Sequence, residues 1–559
     1  MIGDLSGEIQ LFFEASCVMS ANSRRTWLWI IAAVVVCLVA GCDKYGSKGG
    51  SASLIEDVDL GKTIGSMAQV VAPGSAELEG FGLVGGLRGT GSSECPSGVR
   101  AYLMRYILTE LPQYRINIQG LLNSHNTAVV HVYGQMSGLS SKNERFDIRV
   151  TALDGTQTTS LVGGWLYGAE MKPVGRFLIG TRPVANAGGP VFMDKLEGPP
   201  KDARTGYVLA GGRVLDEYLI SVALNKRDYE VTSTIRNRLN GRFGYGTAKA
   251  VLPGRVQIAV PSRYRNRKED FIEIVKALYL EETAELIEQR IKSFVRRLAV
   301  EPSKYESEMA LEAIGNRSLL KLQVLLNSSN EQAQFHAARC MLNLGSDAGF
   351  QLLRDIALSV GAANRMEALE AIACSASRND ASAVARKLLR DSSFDIRLAA
   401  YEQLRRLDDV SIAIETIGDS FHLERIAYAG TKGIFVSRSG QPRVVLFGSP
   451  IYCRENSFIQ SADGTIIINA PRGQQYVSVI RKHSSNPSAV MSLNSSFKLG
   501  DIVRVLGDKR AKKGQVEPGG LGVPYSEILA LLRQMCDRGA VVAEFRAGPP
   551  PKIGPIVKK

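Results

Sequence analysis

Few residues in this chain have the types and spacing that chemistry requires. Gly80, Gly82 and Gly85, within Leu78–Ser93, satisfy the G-x-G-x-x-G spacing of a dinucleotide loop. That use requires a strand before the loop, a helix opening on its last glycine and an acidic residue about 20 positions later. Here further glycines and a Thr/Ser-rich loop follow, and Pro96 delays any helix by roughly ten residues, so the run reads as glycine used for positive φ or close backbone approach. His125 and His131 fall in or beside a strand pattern, with no cysteine or carboxylate spacing that suggests a metal site. Cys95, Cys340, Cys374, Cys453 and Cys536 are far apart and form no C-x-x-C. They are neither a disulfide framework nor a zinc site, although one or two disulfides are compatible with an oxidising compartment. No G-x-S-x-G, H-E-x-x-H or Cys/His nucleophile context occurs, and Asp408-Asp409 reads as solvated charge at a helix end. The expectation is no catalytic residue, no metal and no cofactor.

With 559 residues the chain is long enough for several domains. Its formal charge is +13, which favours an anionic neighbourhood without choosing one. The basic runs 263–268 and 509–513 contain only Tyr264 as an aromatic, too little for a base-stacking platform, so nucleic acid is not an expected partner.

The N-terminus is more specific. Arg24-Arg25 precede an apolar run from Trp27 to Ala40 that ends in Val39-Ala40-Gly41-Cys42. A charged region, a short apolar region and small residues before a cut describe a secretory leader. Small residues directly before cysteine resemble a bacterial lipobox, which implies cleavage before Cys42 and acylation of its thiol; the alternative is an uncleaved anchor. Residues 1–18 fit a leader poorly, and Met19 would open a conventional one. Asp43 resembles an inner-membrane retention signal, and Ser23-Arg24-Arg25 hints at twin-arginine export. Residues 1–41 are read as leader and 42–56, rich in Lys, Gly and Ser, as a flexible tether.

The elements that would position anything else follow from periodicity. Val99, Leu103, Tyr106, Ile107 and Leu111 fall at helical spacing, ending near Pro112. Residues 127–133 and 145–153 read as strands; in the second, Phe146, Ile148, Val150 and Ala152 alternate with polar residues, as in a sheet with one buried face. Residues 218–224 and 255–260 are strands that flank a helix over 228–240 carrying Tyr229, Thr232, Ile235 and Leu239 on one face, an α+β layer. Between 302 and 415 the character changes. Ala310, Ala338, Ala368 and Ala400 recur at spacings of 28, 30 and 32, each followed four residues on by an apolar residue. Self-similarity near this period, with Asp391–Leu407 resembling a HEAT-type repeat, predicts an α-solenoid that folds independently of its flanks. Cys340 and Cys374 would be small core residues within it. Residues 443–448 and 464–469 then read as strands, 525–538 as a helix with Ile528, Leu531, Leu532 and Met535 inward, and 540–545 as a last strand.

Three blocks carry a family resemblance. GFGLVGGLRGTG at 80–91, with Phe146-Asp147-Ile148 and Ser160-Leu161-Val162-Gly163-Gly164, resembles the signature of the flagellar P-ring protein family. Residues 218–261, ending in Val260-Pro261, and 521–545, opening on Gly522-Val523-Pro524, extend it in the family's order. The chain departs from the family where Met136–Asn143 lacks a proline-containing loop, at Leu166–Pro173, and in the 302–415 segment. The resemblance implies an α+β fold: P-ring-like sheet/helix regions at 57–301 and 416–559, split by the HEAT-like array. It also implies a homo-oligomeric ring in the periplasm around the flagellar rod, neighbouring L-ring components and peptidoglycan; the membrane attachment through Cys42 is implied by the lipobox alone, and the family normally has no such anchor. Gly80, Gly82, Gly85, Gly86, Gly89 and Gly91 form the candidate assembly loop, where Gly85→Val with Gly86→Val is expected to spoil ring formation. The alternative is a lipid-anchored scaffold reusing the fold away from flagella.

Overall fold

The computed structural model describes residues 60–110, 117–175, 181–198, 200, 202–483, 486–509 and 519–553. The leader, Cys42, the tether and most of the basic stretch after Lys509 lie outside these residues.

Helix α1 (Ile64–Met67) leads into β1 (Ala68–Val71) and then β2 (Ala76–Gly85). The chain continues through α2 (Ser97–Glu110), α3 (Ile118–Leu122), β3 (Ala128–Met136), β4 (Arg145–Ala152), β5 (Trp165–Pro173), β6 (Ala185–Pro190) and β7 (Thr205–Val214). Strands β2 to β7 close into a barrel in the order β2-β3-β4-β7-β6-β5, with β5 antiparallel to β2 at the closing seam. Alternation explains the barrel's interior: Ile148, Val150 and Ala152 of β4 point inward with Val130, Val132, Leu166 and Val208, a core built only from residues 76–214. Leu103 and Leu122 of α2 and α3 cover Leu83 and Val129 on the outside.

The second lobe comprises β8 (Ile220–Leu224), α4 (Tyr229–Phe243), β9 (Ala248–Leu252), β10 (Arg255–Ile258) and α5 (Lys268–Ala277). With β1 these strands form an antiparallel sheet ordered β1-β8-β10-β9. Asp228 caps α4 by accepting from the amides of Glu230 and Val231, and Thr232, Ile235 and Leu239 are buried on the sheet. Tyr229, expected on the same stripe, stands in solvent at 73% exposure, because it occupies the first helical position, ahead of the buried turns.

Helices follow without interruption by strands: α6 (Ala284–Val300), α7 (Tyr305–Ile314), α8 (Leu319–Leu322), α9 (Glu331–Asn343), α10 (Asp347–Leu358), α11 (Arg365–Ser375), α12 (Arg378–Leu388) and α13 (Phe394–Arg406). From α9 on, each helix packs against the next, and α9, α11 and α13 touch in series. Ala310, Ala338, Ala368 and Ala400 are all buried at these contacts, where a small side chain lets helices approach. Cys340 is buried as well, and Cys374 half-buried. Neither end of the array is free-standing. At one end α7 and α9 share a core with Ile287, Ile291, Phe294 and Leu298 of α6. At the other, Phe394, Tyr401 and Leu404 share a core with Ile426, Phe435, Val445 and Phe447 of the following sheet.

That sheet uses β11 (Ala413–Ile417), β12 (Phe421–Ile426), β13 (Gly433–Val436) and β14 (Arg443–Phe447). A meander of β15 (Ser457–Gln460), β16 (Ile466–Ala470), β17 (Val477–His483) and β18 (Asn486–Ser495) follows, then α14 (Leu499–Gly507), α15 (Tyr525–Asp537) and β19 (Glu544–Ala547). The first sheet is mixed, ordered β11-β12-β14-β13-β19, with β12 parallel to β14 and β13 parallel to β19. Gly539, at φ +71°, ends α15 in the left-handed conformation glycine favours. The last strand begins four residues later than expected from AVVAEF: Ala540 and Val541 bury themselves in the core while Val541 makes only one bridge, to Cys453. Asp409 also departs from expectation. It is 8% exposed, not solvated, because Arg386 donates to both of its oxygens at 3.0 and 2.7 Å.

Candidate assembly surface

The glycine-rich stretch is not a loop over its first half. Gly80, Gly82 and Gly85 lie within β2, where the strand crosses β5 at the barrel's closing seam. Pairing there is interrupted between Glu79 and Val84, and the two strands meet in direct backbone contact. A Cβ on Gly80 would collide with the Glu170 carbonyl oxygen, and one on Gly82 would lie 2.7 Å from Leu166 Cδ1. At Gly85 the space is taken by the ring of Tyr167. Gly86, Gly89 and Gly91 continue as the loop after β2, which the Leu87 and Gly91 amides tie to the carbonyls of Asn126 and His125. At Gly80, Gly82, Gly85 and Gly91 the close approach is made within the chain, whereas Gly86 and Gly89 take positive φ, +78° and +80°, with nothing nearer than 3.8 Å. Packing within the chain accounts for the first four, and Gly85→Val strikes the folded barrel first.

The seam displays residues that periodicity did not reveal. Trp165 and Tyr167 are two positions apart on β5, so they point to one side of the strand, and they are 41% and 59% exposed. Tyr106 packs beside them: its hydroxyl lies close over Gly168, and its ring stacks on Tyr102 at 6.2 Å. Tyr102 donates to Glu170 Oε2 at 3.3 Å; burial and the Glu170 charge push its pKa well up, so the phenol remains protonated. Glu170 also pairs with Lys172 at 3.7 Å. The signal was present as the spacing Trp165-x-Tyr167, but it lies in a segment that no alternating pattern marks as a strand.

Two resemblance blocks distant in sequence meet in space. Gly163, Gly164 and Trp165, at the end of the 160–164 motif, share a cavity of about 280 Å³ with Val523, Pro524 and Tyr525. Tyr525 is fully engaged there, its hydroxyl 2.8 Å from the Ser437 and Arg443 carbonyls and accepting from the Arg443 amide at 3.1 Å. Asp147, of the Phe146-Asp147-Ile148 motif, accepts the Gly440 amide at 2.9 Å and the Ala210 amide at 2.7 Å, while burial raises its pKa against those bonds. Arg438 to Asp194 at 2.9 Å and Lys195 to Glu527 complete this join between barrel and C-terminal sheets. The block at 218–261 is elsewhere, in the second lobe.

The titratable groups perform structural work. His131 lies beside Glu79 at 3.5 Å with its pKa lowered by burial. Glu308 and Glu312, both wholly buried, hold Arg339 and Arg267, and Glu424 holds Arg405 and Tyr401. The five described cysteines are free, and no group of His, Cys, Asp or Glu among the described residues is placed to hold a metal ion. Among the same residues no helix is long and apolar enough to cross a membrane.

Comparison with known proteins gives this arrangement a relative. Residues 63–292 match the family described as flagellar P-ring protein. The chain resembles the flagellar P-ring protein. It is 27% identical over 210 residues to flagellar P-ring protein 1 of Hahella chejuensis, covering 35% of this chain and 54% of that protein. The flagellar P-ring protein of Albidiferax ferrireducens is 27% identical over 293 residues, covering 49% of this chain and 71% of its own length. That of Thermotoga maritima is 26% identical over 220 residues, 36% of this chain and 62% of the relative. The chain thus spans between about half and 71% of the length of these relatives. The family match falls on the barrel, the second lobe and the first half of α6. It stops before the helical array, and the block at 521–545 lies outside it.

Proposed function

We propose that this chain is a non-catalytic structural subunit of a periplasmic, P-ring-like assembly around the flagellar rod. The observation that carries this reading is the P-ring match over 63–292, which coincides with two complete lobes rather than with a fragment of one. Copies would join head to tail by a heterologous contact whose rotation closes into a ring. The exposed Trp165 and Tyr167 beside the seam fit the aromatic-rich composition of such contacts. Rod and L-ring components are the expected neighbours, with peptidoglycan close by, and acylated Cys42 would hold the chain to a membrane. The stacked helices 305–406 serve as a HEAT-like solenoid between the P-ring-like regions.

That helical array, lying beyond the matched span, favours one other reading: a lipid-anchored periplasmic scaffold that reuses the fold without a flagellum. Deleting the gene in its host, with motility assays and electron microscopy of isolated basal bodies, separates the two. Loss of swimming with a missing periplasmic ring is expected for the subunit. Normal swimming with complete basal bodies would overturn the ring reading and leave the scaffold.

A further inference from the structure

The C-terminal end of α12 and the loop after β12 enclose a hollow of about 360 Å³, outside residues 63–292 that match the P-ring family. Its walls are apolar: Leu389 and Ile426 form the floor, and the ring of Tyr428 stands at the edge, 73% exposed. Its rim is cationic. Arg386 is held in place by both oxygens of Asp409, which neutralises it. Lys387 and Arg390 are exposed and have no carboxylate partner among the described residues, so two positive charges remain uncompensated at the mouth. Asp391, next in sequence to Arg390, is taken by Arg365 at 2.5 Å. Val410, 90% exposed, lies next in sequence to Ser411 of the hollow.

We propose that this hollow is a docking site for a partner protein's extended segment that carries one large aromatic or aliphatic side chain flanked by carboxylates. The volume suits a single large side chain rather than a broad surface. Burying an apolar anchor in a hollow rimmed by opposite charge is the pattern in which one residue supplies most of the affinity and the rim charges set specificity and on-rate. An extended membrane contact would call for basic and apolar groups spread over a face, whereas here they converge on one concavity. The site is independent of the ring-subunit reading, since none of its residues belongs to the matched span.

The test uses the mature full-length protein and three fluorescein-labelled peptides read by polarisation: Asp-Glu-Phe-Asp-Glu, the same with Ala for Phe, and Lys-Lys-Phe-Lys-Lys. Binding of the first alone is expected, weakening at least tenfold in Lys387→Glu with Arg390→Glu and falling as salt is raised. Tyr428→Ala should weaken it less. All three side chains are exposed, so melting temperatures should match the parent, and this control separates a lost site from a lost fold. In a parallel arm the proteins are sedimented with phosphatidylglycerol vesicles. Equal binding of all peptides, no binding, or binding unchanged by the charge reversals would overturn the proposal. So would loss of vesicle binding in the reversed variant without any peptide effect, which would reassign the patch to a lipid surface.

Discussion

The barrel and the helical array bury their cores in opposite ways. The barrel closes on itself, and its interior draws only on residues 76–214. Closure removes both sheet edges, but the seam must let β2 and β5 approach without side chains between them, which is why glycines stand at 80, 82 and 85. The array has no closure. Each helix covers its neighbour, and the two ends are completed by other elements, α6 on one side and the β12–β14 sheet on the other. One region is sensitive to single atoms at a seam, the other to what lies at its ends.

Gly80→Val is the sharpest probe of the first half of that contrast. With the Glu170 carbonyl occupying the place of a Cβ, the seam must open, and we expect loss of the folded barrel, a cost above about 3 kcal/mol. Gly74→Ala, with nothing near the added carbon, should leave the melting temperature unchanged. Equal melting of the two variants by circular dichroism would show that the seam yields and that the glycines are there for another purpose.

Removing residues 303–410 with a short Gly/Ser bridge probes the second half. A free-standing array would leave both flanks folded. The shared core predicts otherwise, because excision uncovers Ile426, Phe435, Val445 and Phe447. The barrel, whose core draws on none of the excised residues, should retain protection in hydrogen exchange, while the C-terminal sheets lose it. Retained protection at both would make the array a separable insert after all.

The same contrast explains what was legible beforehand. Local periodicity carried the helix at 97–110, the strands at 128–136 and 145–152, and α4, since each depends on neighbours in sequence. The alanine recurrence found the helices of 305–406, but it was silent on what covers Phe394 and Tyr401, because those partners come later in the chain. The strand Ala76–Gly85 was hidden, because glycine is a poor strand former and its use here depends on β5, some eighty residues on. Trp165 and Tyr167 were missed for the same reason. The parallel pairings β12 to β14 and β13 to β19 have no local signature at all. Asp409 looked solvated because Arg386, its partner, lies on another helix.

The smallest expected effect concerns the junction where α7 meets α9. Glu308 is wholly buried, accepting from Arg339 at 2.7 and 2.6 Å and lying 2.7 Å from His336 Nδ1. Burial alone would raise its pKa, but the bonds from His336 and Arg339 outweigh burial and hold it below its ordinary value of 4.5. Glu308→Ala should cost about 3 kcal/mol, the low end for a broken buried pair, because Arg339 is 25% exposed and can turn to water. The pH dependence is finer. A depressed carboxylate contributes stability that is complete above the unfolded value of 4.5 and is lost as pH falls towards the folded value. Over that window the unfolded chain takes up a proton that the native protein refuses, adding a slope of up to about 1.4 kcal/mol per pH unit. Glu308→Gln, which keeps the shape and loses the titration, should flatten the acid limb of urea-unfolding stability between about pH 5 and pH 3 relative to the parent. Parallel acid limbs in the two proteins would mean that Glu308 is no more depressed folded than unfolded, and the junction would then be held by packing alone.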